Sequence, residues 1–464
     1  MKKTIYILFT IALFAGIFSS CNKDVLEPTL AQSRAVEGSL NTVEDVKGIL
    51  YGAYNRMTST TYYGRDYIIH GEIRGDNCFS NGNSGRFVTE AKMIYTNTFG
   101  GFWSQIYTVI ASANIIIGLD PAKISGDADV LDHYKGQAYA IRAMAHFDLL
   151  RYYGQQHVTV TGDPLGVPYI KVYKGEDFAP ARQTVAQNRL DIYADIVDAL
   201  ALMDPALDDD SKELMTYYGA QALKSRVAIY FGDWDEAIAA CTSVIGSARY
   251  SIIDGAQYAN SFLVDGAANS IFELAFSSTD NANINGLQYI YRGPSYGDVE
   301  VLEDLYNCFE AGDVRAAADM IGPDPYPTVV RPYINIGKYP SYDYSDNVPI
   351  LRYEEVILNY AEALWRKNNA DPNALTQLNL VPAKRNATAY AAINEDNILL
   401  ERRKELCFEG MRFHDLMRTG RDIPLVDAFK QTHGGPEYGD YKMAFPIPLG
   451  EMQANPNMVQ NKSY

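Results

Sequence analysis

Several patterns that mark enzymes or nucleic-acid-binding proteins are missing from this sequence. Its six histidines include no HExxH motif, and its five cysteines include no CxxC pair. These absences count against a zinc centre. Gly82-Asn83-Ser84-Gly85 lacks the following Gly of a serine-protease loop, which counts against a serine nucleophile there. The chain has no basic run and carries a formal net charge of -17, so a nucleic-acid partner is not expected. We therefore expect no metal, no cofactor and no catalytic residue.

Cysteine is scarce enough that each one can be considered singly. Four of the five lie beyond the N-terminal segment: Cys78, Cys241, Cys308 and Cys407. Cys241 and Cys407 fall within helical patterns, which favours small buried core residues. A disulfide between Cys78 and Cys308 is open to an exported protein, although no spacing requires it.

The fifth cysteine ends a segment typical of export. Lys2 and Lys3 precede an apolar stretch over 5–18, which is short for a membrane span and typical of a signal peptide. It ends in Phe-Ser-Ser-Cys at Cys21, which resembles a bacterial lipoprotein cleavage motif. The alternative is an ordinary secretory signal with a chance cysteine. Acyl chains on Cys21 would anchor the protein, because each buried CH₂ contributes about 0.8 kcal/mol.

These features predict the organisation of the chain. We expect a lipoprotein signal peptide over 1–20, a lipid-anchored tether over 21–40 and a single domain over 41–464. No later segment is apolar enough to cross a membrane.

Helical periodicity dominates the predicted domain. Thr42 and Asp45 form a capping-box pattern, and Thr184 with Gln187 begins another helix that extends to about residue 203. Between them, the sequence predicts helices over 102–121 and 131–153.

One segment, 217–245, has the clearest repeat-like sequence pattern. It predicts two helices rich in small residues around Gly232-Asp233-Trp234, which is the turn pattern of a tetratricopeptide repeat. One such unit cannot bury its own face, so neighbouring helix pairs must stack on it. The candidate pairs are 131–153 with 184–203 and 352–367 with 394–419.

Two long segments, 60–98 and 246–350, interrupt the helices with irregular sequence rich in Gly, Asn and Tyr. The chain has 35 tyrosines against 18 phenylalanines, which favours half-exposed rings. Sugars offer CH faces that stack on such rings and hydroxyls that bond to Asn, Asp and Arg. Loops that merely pack on the scaffold are the simpler alternative. The candidate ligand-binding residues are Arg74, Asp76, Asn77, Phe79, Arg86, Asn283, Asn285, Tyr289, Tyr291, Arg292 and Tyr296.

Carboxylates on the predicted helices suggest an alternative hypothesis, a glycoside hydrolase. Glu355 and Glu362 are seven residues apart and share a helix face, and a glycoside hydrolase needs two acids about 5–9.5 Å apart. However, they lie in an apolar helix, where pairing with Arg352 or Arg403 is the simpler account.

The stretch "ERRKELCFEGMRFHDLMRTG" over 401–420 is another candidate active site, because it is rich in charged residues. Its helical phase places Leu399, Leu406, Phe413 and Met417 inward. The three glutamates Glu401, Glu405 and Glu409 then lie off that stripe, and we predict an ion-pair lattice with Arg402, Arg403 and Arg412.

Taken in order, these segments resemble the SusD/RagB family of Bacteroidetes outer-membrane lipoproteins. The resemblance covers most of the mature chain, including "FWSQIYTVIASANIII", "GQAYAIRAMAHFDLLRYYG", "GDPLGVPYI", "RQTVAQNRLDIYADI" and "ILRYEEVILNYAEAL". The stretch 401–420 and the tail "FPIPLGEMQANPNMVQNKSY" are its most specific parts. Met411 and His414 depart modestly from the family pattern.

The resemblance implies a mainly α fold: a tetratricopeptide-like scaffold of about eight helices, long irregular loops and a few short strands. It implies capture of oligosaccharides at the cell surface and delivery to a SusC-like TonB-dependent outer-membrane transporter, without catalysis. Oligopeptides, bound by the RagB branch, are the alternative ligand. A glycan hydrolase and a periplasmic protein-binding repeat scaffold remain rival functions.

Overall fold

Fifteen α-helices and six short strands form the described part of the protein, which is residues 40–324 and 330–464 of a computed structural model. The predicted signal peptide, Cys21 and nearly all of the tether lie outside these residues. The helices are α1 Val43–Met57, α2 Asp66–Ile73, α3 Val88–Ala91, α4 Trp103–Ile117, α5 Ala128–Tyr153, α6 Val185–Leu202, α7 Tyr217–Phe231, α8 Trp234–Gly246, α9 Leu287–Arg292, α10 Glu303–Asn307, α11 Tyr353–Lys367, α12 Pro372–Ala383, α13 Glu395–Glu405, α14 Arg412–Arg418 and α15 Leu449–Ala454. None of the described helices is long and apolar enough to cross a membrane.

Helix starts are set by side-chain caps. The Thr42 hydroxyl accepts a hydrogen bond from the Asp45 amide at 3.1 Å, and the Asp45 carboxylate accepts one from the Thr42 amide at 3.0 Å. This capping box begins α1 as predicted. Thr184 likewise accepts from the Gln187 amide and begins α6.

Eight of the described helices have twelve residues or more, which agrees with the expected scaffold. Each packs on the next in the order α1, α4, α5, α6, α7, α8, α11 and α12, so the scaffold is a row of antiparallel pairs. Gly232, with φ +76°, ends α7 and lets the chain turn into α8. A Cβ on Gly136 would lie 2.4 Å from Met203 Cγ, so the glycine permits the close contact of α5 with α6.

One predicted pairing is secondary. The sequence predicts that the helix over 352–367 pairs with 394–419, and α11 does contact α13, but it packs more extensively on α8 and on α12, a helix that the sequence did not predict. Pro372 fits the first turn of α12, because its missing amide hydrogen has no partner there in any helix.

The strands β1 Cys78–Ser80, β2 Ser270–Leu274, β3 Val299–Val301, β4 Ile321–Gly322, β5 Ile334–Asn335 and β6 Val348–Arg352 form three antiparallel two-stranded ladders. Cys78 pairs with Val301, and Ser80 pairs with Val299, so β1 joins β3. The segment 60–98 is less irregular than expected because it contains α2, which is buried on all sides from Tyr67 to Ile73. The four described cysteines are all free thiols, so the Cys78–Cys308 disulfide is not formed.

The predicted ion-pair lattice exists, but it is buried and its partners differ. Glu401 pairs with Arg315 at 2.6 Å, Glu405 with Arg385 at 2.9 Å, and Glu409 with Arg352 at 2.7 Å. The expected partners bind elsewhere: Arg402 to Asp415, Arg403 to Asp304 and Arg412 to Asp76. The stretch is also not one helix, because the chain turns between α13 and α14 through Gly410 with φ +77°. The lattice therefore ties the loop insertion to the last scaffold helices.

Candidate ligand-binding site

The two loop segments that the sequence singled out meet in space. Next to the β1–β3 ladder, the Asn81 amide donates to the Asp298 carbonyl at 2.9 Å. The Ser84 amide and hydroxyl both donate to the Asp298 carboxylate at 2.7 Å. The Asn83 side chain donates to the Tyr296 carbonyl at 2.6 Å. The tip of the first loop is thus fixed against the second, about 200 residues further along the chain.

Five of the predicted residues assemble at this junction and remain half-buried or exposed: Arg86, Asn283, Asn285, Tyr289 and Tyr296. We call them the aromatic–polar patch. The Arg86 guanidinium lies 3.7 Å from the centroid of the Tyr296 ring and donates to the Ser84 hydroxyl at 2.9 Å. The Tyr289 and Tyr296 rings meet edge to face at 5.2 Å. Ring faces and hydrogen-bonding groups therefore occur side by side, as recognition of a hydroxyl-rich chain requires.

Tyrosines further along the second loop extend the patch. The Tyr344 ring lies 6.1 Å from Tyr289, and Tyr342 is exposed beside the Arg292 guanidinium. Next to Tyr344 lies a small depression lined also by Gly64, Phe276 and Ala282. The sequence reading missed these tyrosines, although the density of Tyr between 289 and 344 was a signal that could have found them.

Six of the predicted ligand-binding residues are buried instead: Arg74, Asp76, Asn77, Phe79, Tyr291 and Arg292. Because these side chains are buried and bonded within the protein, the prediction that they contact ligand is corrected. Arg74 donates to the carbonyls of Lys442 and Met443 at 2.9 and 3.1 Å. Arg292 likewise donates to the Ile336 carbonyl at 3.1 Å.

Asp76 and Asn77 are held by the chain's own arginines. Asp76 accepts from Arg412 Nε at 2.6 Å, and Asn77 Oδ1 accepts from Arg403 Nε at 2.9 Å. Burial alone would raise the pKa of Asp76, but the guanidinium groups of Arg412 and Arg403 lower that pKa below its ordinary value. The carboxylate is therefore ionised and paired, and it supports the loop from inside.

The carboxylates of the hydrolase alternative have no cleft between them. Glu355 accepts from Arg226 at 2.7 and 2.6 Å, and Glu362 accepts from Arg418 at 2.6 and 2.7 Å. Both carboxylates are buried. The ion pairing was expected, but the partners differ from those predicted, Arg352 and Arg403. Two acids held in bidentate pairs leave no space for a sugar or a nucleophilic water.

Comparison with family models gives two matches. The model described as the SusD family matches residues 329–464. The model described as "Starch-binding associating with outer membrane" matches residues 27–229. The matched segments contain the first loop, most of the scaffold and the C-terminal tail.

Individual relatives agree with these matches. SusD-like protein P38 of Formosa agariphila is 26% identical, with 100% of this chain and 99% of that protein covered. The starch-binding protein SusD of Bacteroides thetaiotaomicron is 29% identical over 27% of this chain and 22% of its own length. The crystal structure of a SusD superfamily protein from Bacteroides vulgatus superposes with a TM-score of 0.84 at 27% identity, covering 92% of this chain and 100% of that one.

Proposed function

The chain belongs to the SusD family, and from this premise we propose that it captures oligosaccharides at the cell surface and passes them to a SusC-like TonB-dependent transporter. The proposal assigns it no catalytic step. The observation that carries it is the aromatic–polar patch, where Arg86 stacks on Tyr296 beside Tyr289. Support for a carbohydrate over other ligands comes from the starch-binding description of the family model that matches residues 27–229.

The geometry of the patch favours a ligand with apolar faces and many hydroxyls. The Tyr289 and Tyr296 rings lie at 86° to each other, so they can contact two different faces of a bent chain. Asn283 and Asn285 lie in the short segment just before the helix that carries Tyr289, and each offers an amide donor and a carbonyl acceptor. The loops are fixed by the Asp298 hydrogen bonds, so little conformational entropy is lost on binding.

Binding to purified protein lacking the signal peptide tests the ligand. Calorimetry against neutral oligosaccharides should show binding, and Tyr296→Ala should weaken it about tenfold because a stacking face is lost. Tyr438→Ala is the matched control, since Tyr438 is also exposed but its hydroxyl contacts His157 instead of the patch. Binding of oligopeptides in place of sugars would assign the alternative ligand. Binding of neither class would overturn the proposal.

The proposed location and partner are tested in cells. Cys21→Ala should release the protein from the outer-membrane fraction, because no acyl chain would hold it there. Wild-type protein should be cleaved when intact cells are treated with protease, and it should co-purify with a TonB-dependent transporter. A protease-protected protein that co-purifies with no transporter would favour the periplasmic scaffold instead.

A further inference from the structure

A second concave surface lies outside the aromatic–polar patch. It runs along α1, where Tyr51, Tyr54, Asn55 and Thr58 line it, and Glu213 and Asp280 face them from other segments. We call it the α1 groove. Its volume of about 320 Å³ falls at the lower end of the range typical of ligand sites. None of its lining residues belongs to the patch.

The α1 groove and the depression beside Tyr344 share one wall. Ala275 and Asp280 line the groove, whereas Phe276 and Ala282 line the depression. Ala275 and Phe276 are consecutive residues, and consecutive Cα atoms are only about 3.8 Å apart. The two concave surfaces therefore lie on either side of a single segment. One flexible ligand chain that crosses this segment can therefore contact both surfaces.

The shared wall is a fixed, polar ridge. The Ser277 amide donates to the Asp280 carbonyl at 2.9 Å, and the Asn281 side chain donates to the Ser277 carbonyl at 2.7 Å. The Phe276 amide donates to Asn347 Oδ1 at 2.7 Å. Ser277, Thr279 and Asp280 are exposed along the ridge, so a chain that crosses it meets hydroxyls and a carboxylate.

The α1 groove has the chemistry of a sugar site. Tyr51 exposes its ring, and Asn55 follows four residues later on the same face of α1. Tyr54 is different: its hydroxyl donates to Gln137 at 2.7 Å and accepts from the Met215 amide at 2.8 Å, so it forms a fixed floor.

Charge in the α1 groove favours a ligand without anionic groups. Two of the lining residues, Glu213 and Asp280, are carboxylates, and none is a base. The base next to Tyr51 is Lys47, at 5.5 Å from its ring centroid, and Lys47 also pairs with Glu44 at 3.7 Å. Carboxylates accept hydrogen bonds from sugar hydroxyls and repel uronates and sulfates.

We propose that the α1 groove is a second subsite for the ligand of the aromatic–polar patch, and that the ligand is an uncharged oligosaccharide long enough to cross the ridge. This inference rests on the proposed function and adds to it the length and the charge of the substrate. Units bound in the groove should add affinity only once the chain spans both surfaces.

Affinity measured against chain length tests the second subsite. The probes are neutral gluco-, xylo- and manno-oligosaccharides, each from disaccharide to octasaccharide, with oligogalacturonates of the same sizes as the acidic counterpart. In wild-type protein, affinity for the binding series should rise again at the longer members. Tyr51→Ala with Asn55→Ala should lower affinity for the octasaccharide about tenfold and change the trisaccharide less than about twofold. Oligogalacturonates should show no gain with length.

Two further variants separate failure of the groove from failure of the patch. Tyr296→Ala should weaken short and long members alike, and Tyr438→Ala should change neither. Glu213→Gln with Asp280→Asn should keep the fold and allow longer oligogalacturonates to gain affinity. If neutral sugars bind but the Tyr51 and Asn55 substitutions leave every length unchanged, the second subsite is wrong and the proposed function stands. If no sugar binds wild-type protein, both are wrong.

Discussion

Glu405 contacts three arginines within the buried ion-pair lattice. Its carboxylate lies 2.9 Å from Arg385 Nε, 3.0 Å from Arg352 Nη1 and 3.3 Å from Arg315 Nη1, and the side chain is fully buried. Removal of its charge takes one carboxylate partner away from each of three buried guanidinium groups. We expect Glu405→Gln to lower the free energy of unfolding by about 3 kcal/mol, because breaking a buried pair leaves charge uncompensated.

Chemical denaturation measures this loss. Glu437→Gln is the matched control, since Glu437 is exposed and should change stability by less than about 0.5 kcal/mol. Oligosaccharide affinity of Glu405→Gln, measured where the variant is folded, should equal that of wild type because the lattice lies beneath the loops. A variant of full stability that no longer binds ligand would return the stretch 401–420 to the candidate active sites.

The same carboxylate should make the variant's defect depend on pH. Burial alone would raise the pKa of Glu405, but Arg385, Arg352 and Arg315 hold it well below its ordinary value. A lowered folded-state pKa adds stability that is present above the unfolded value of about 4.3 and is lost as pH falls below it. The stability difference between wild type and Glu405→Gln should therefore be largest near neutral pH and shrink in acid. A constant difference would contradict this.

At the scale of elements, α2 depends on one close backbone contact. A Cβ on Gly71 would lie 2.1 Å from the Gly410 carbonyl oxygen, so only glycine fits where α2 crosses the turn between α13 and α14. α2 leads directly to Arg74, Asp76 and β1, which support the first loop of the patch. Gly71→Ala should destabilise the protein by about 1–3 kcal/mol through overpacking.

Gly48 on α1 supplies the control for this prediction. A Cβ there meets nothing within 4 Å, so Gly48→Ala should be neutral or stabilise by up to about 1 kcal/mol through helix propensity. Thermal unfolding of the two variants compares them directly. A Gly71→Ala variant as stable as Gly48→Ala would show that α2 can move away from the turn without cost.

Elements were predictable where the information is local. The caps at Thr42 and Thr184 and the turn at Gly232 depend on residues a few positions apart, and the structure confirms them. The buried arginine pairs depend on partners far away in sequence, such as Arg403 with Asp304 and Arg412 with Asp76. Sequence spacing alone cannot select such distant partners. For this reason the sequence predicts pairing of the glutamates over 401–409 with nearby arginines, and it predicts ligand contact for Asp76.

The candidate site also has a part that the sequence could predict and a part that it could not. Both loops were identified from composition, and the structure joins them through the β1–β3 ladder. Composition does not distinguish a half-exposed Arg86 from a buried Arg74, because both lie among aromatic and polar residues. Burial is decided by α14 and by the C-terminal segment, whose Phe413 ring and Lys442 carbonyl cover Arg74.

At the scale of the whole molecule, every histidine is kept from its ordinary titration. Burial lowers the pKa of all six: to about 3 for His146 and His157, to about 4 for His433, and also below the ordinary value for His70, His133 and His414. His414 has no hydrogen bond to either ring nitrogen among the described residues. A protonated imidazole at such a position would be an unpaired buried charge.

The consequence is a stability that falls steadily as pH drops from neutrality. Below about pH 6.5 the unfolded chain binds protons at histidines that the folded chain leaves neutral. Stability therefore rises with pH in this range, and each histidine contributes a slope of up to about 1.4 kcal/mol per pH unit. Urea denaturation between about pH 8 and about pH 5 should show this slope, and in the folded protein every histidine ring signal should titrate below the ordinary value of about 6.5. A free energy of unfolding that stays flat over that range would mean that the histidines are accessible to protons, and hence that the scaffold and its loops open more readily than their burial indicates.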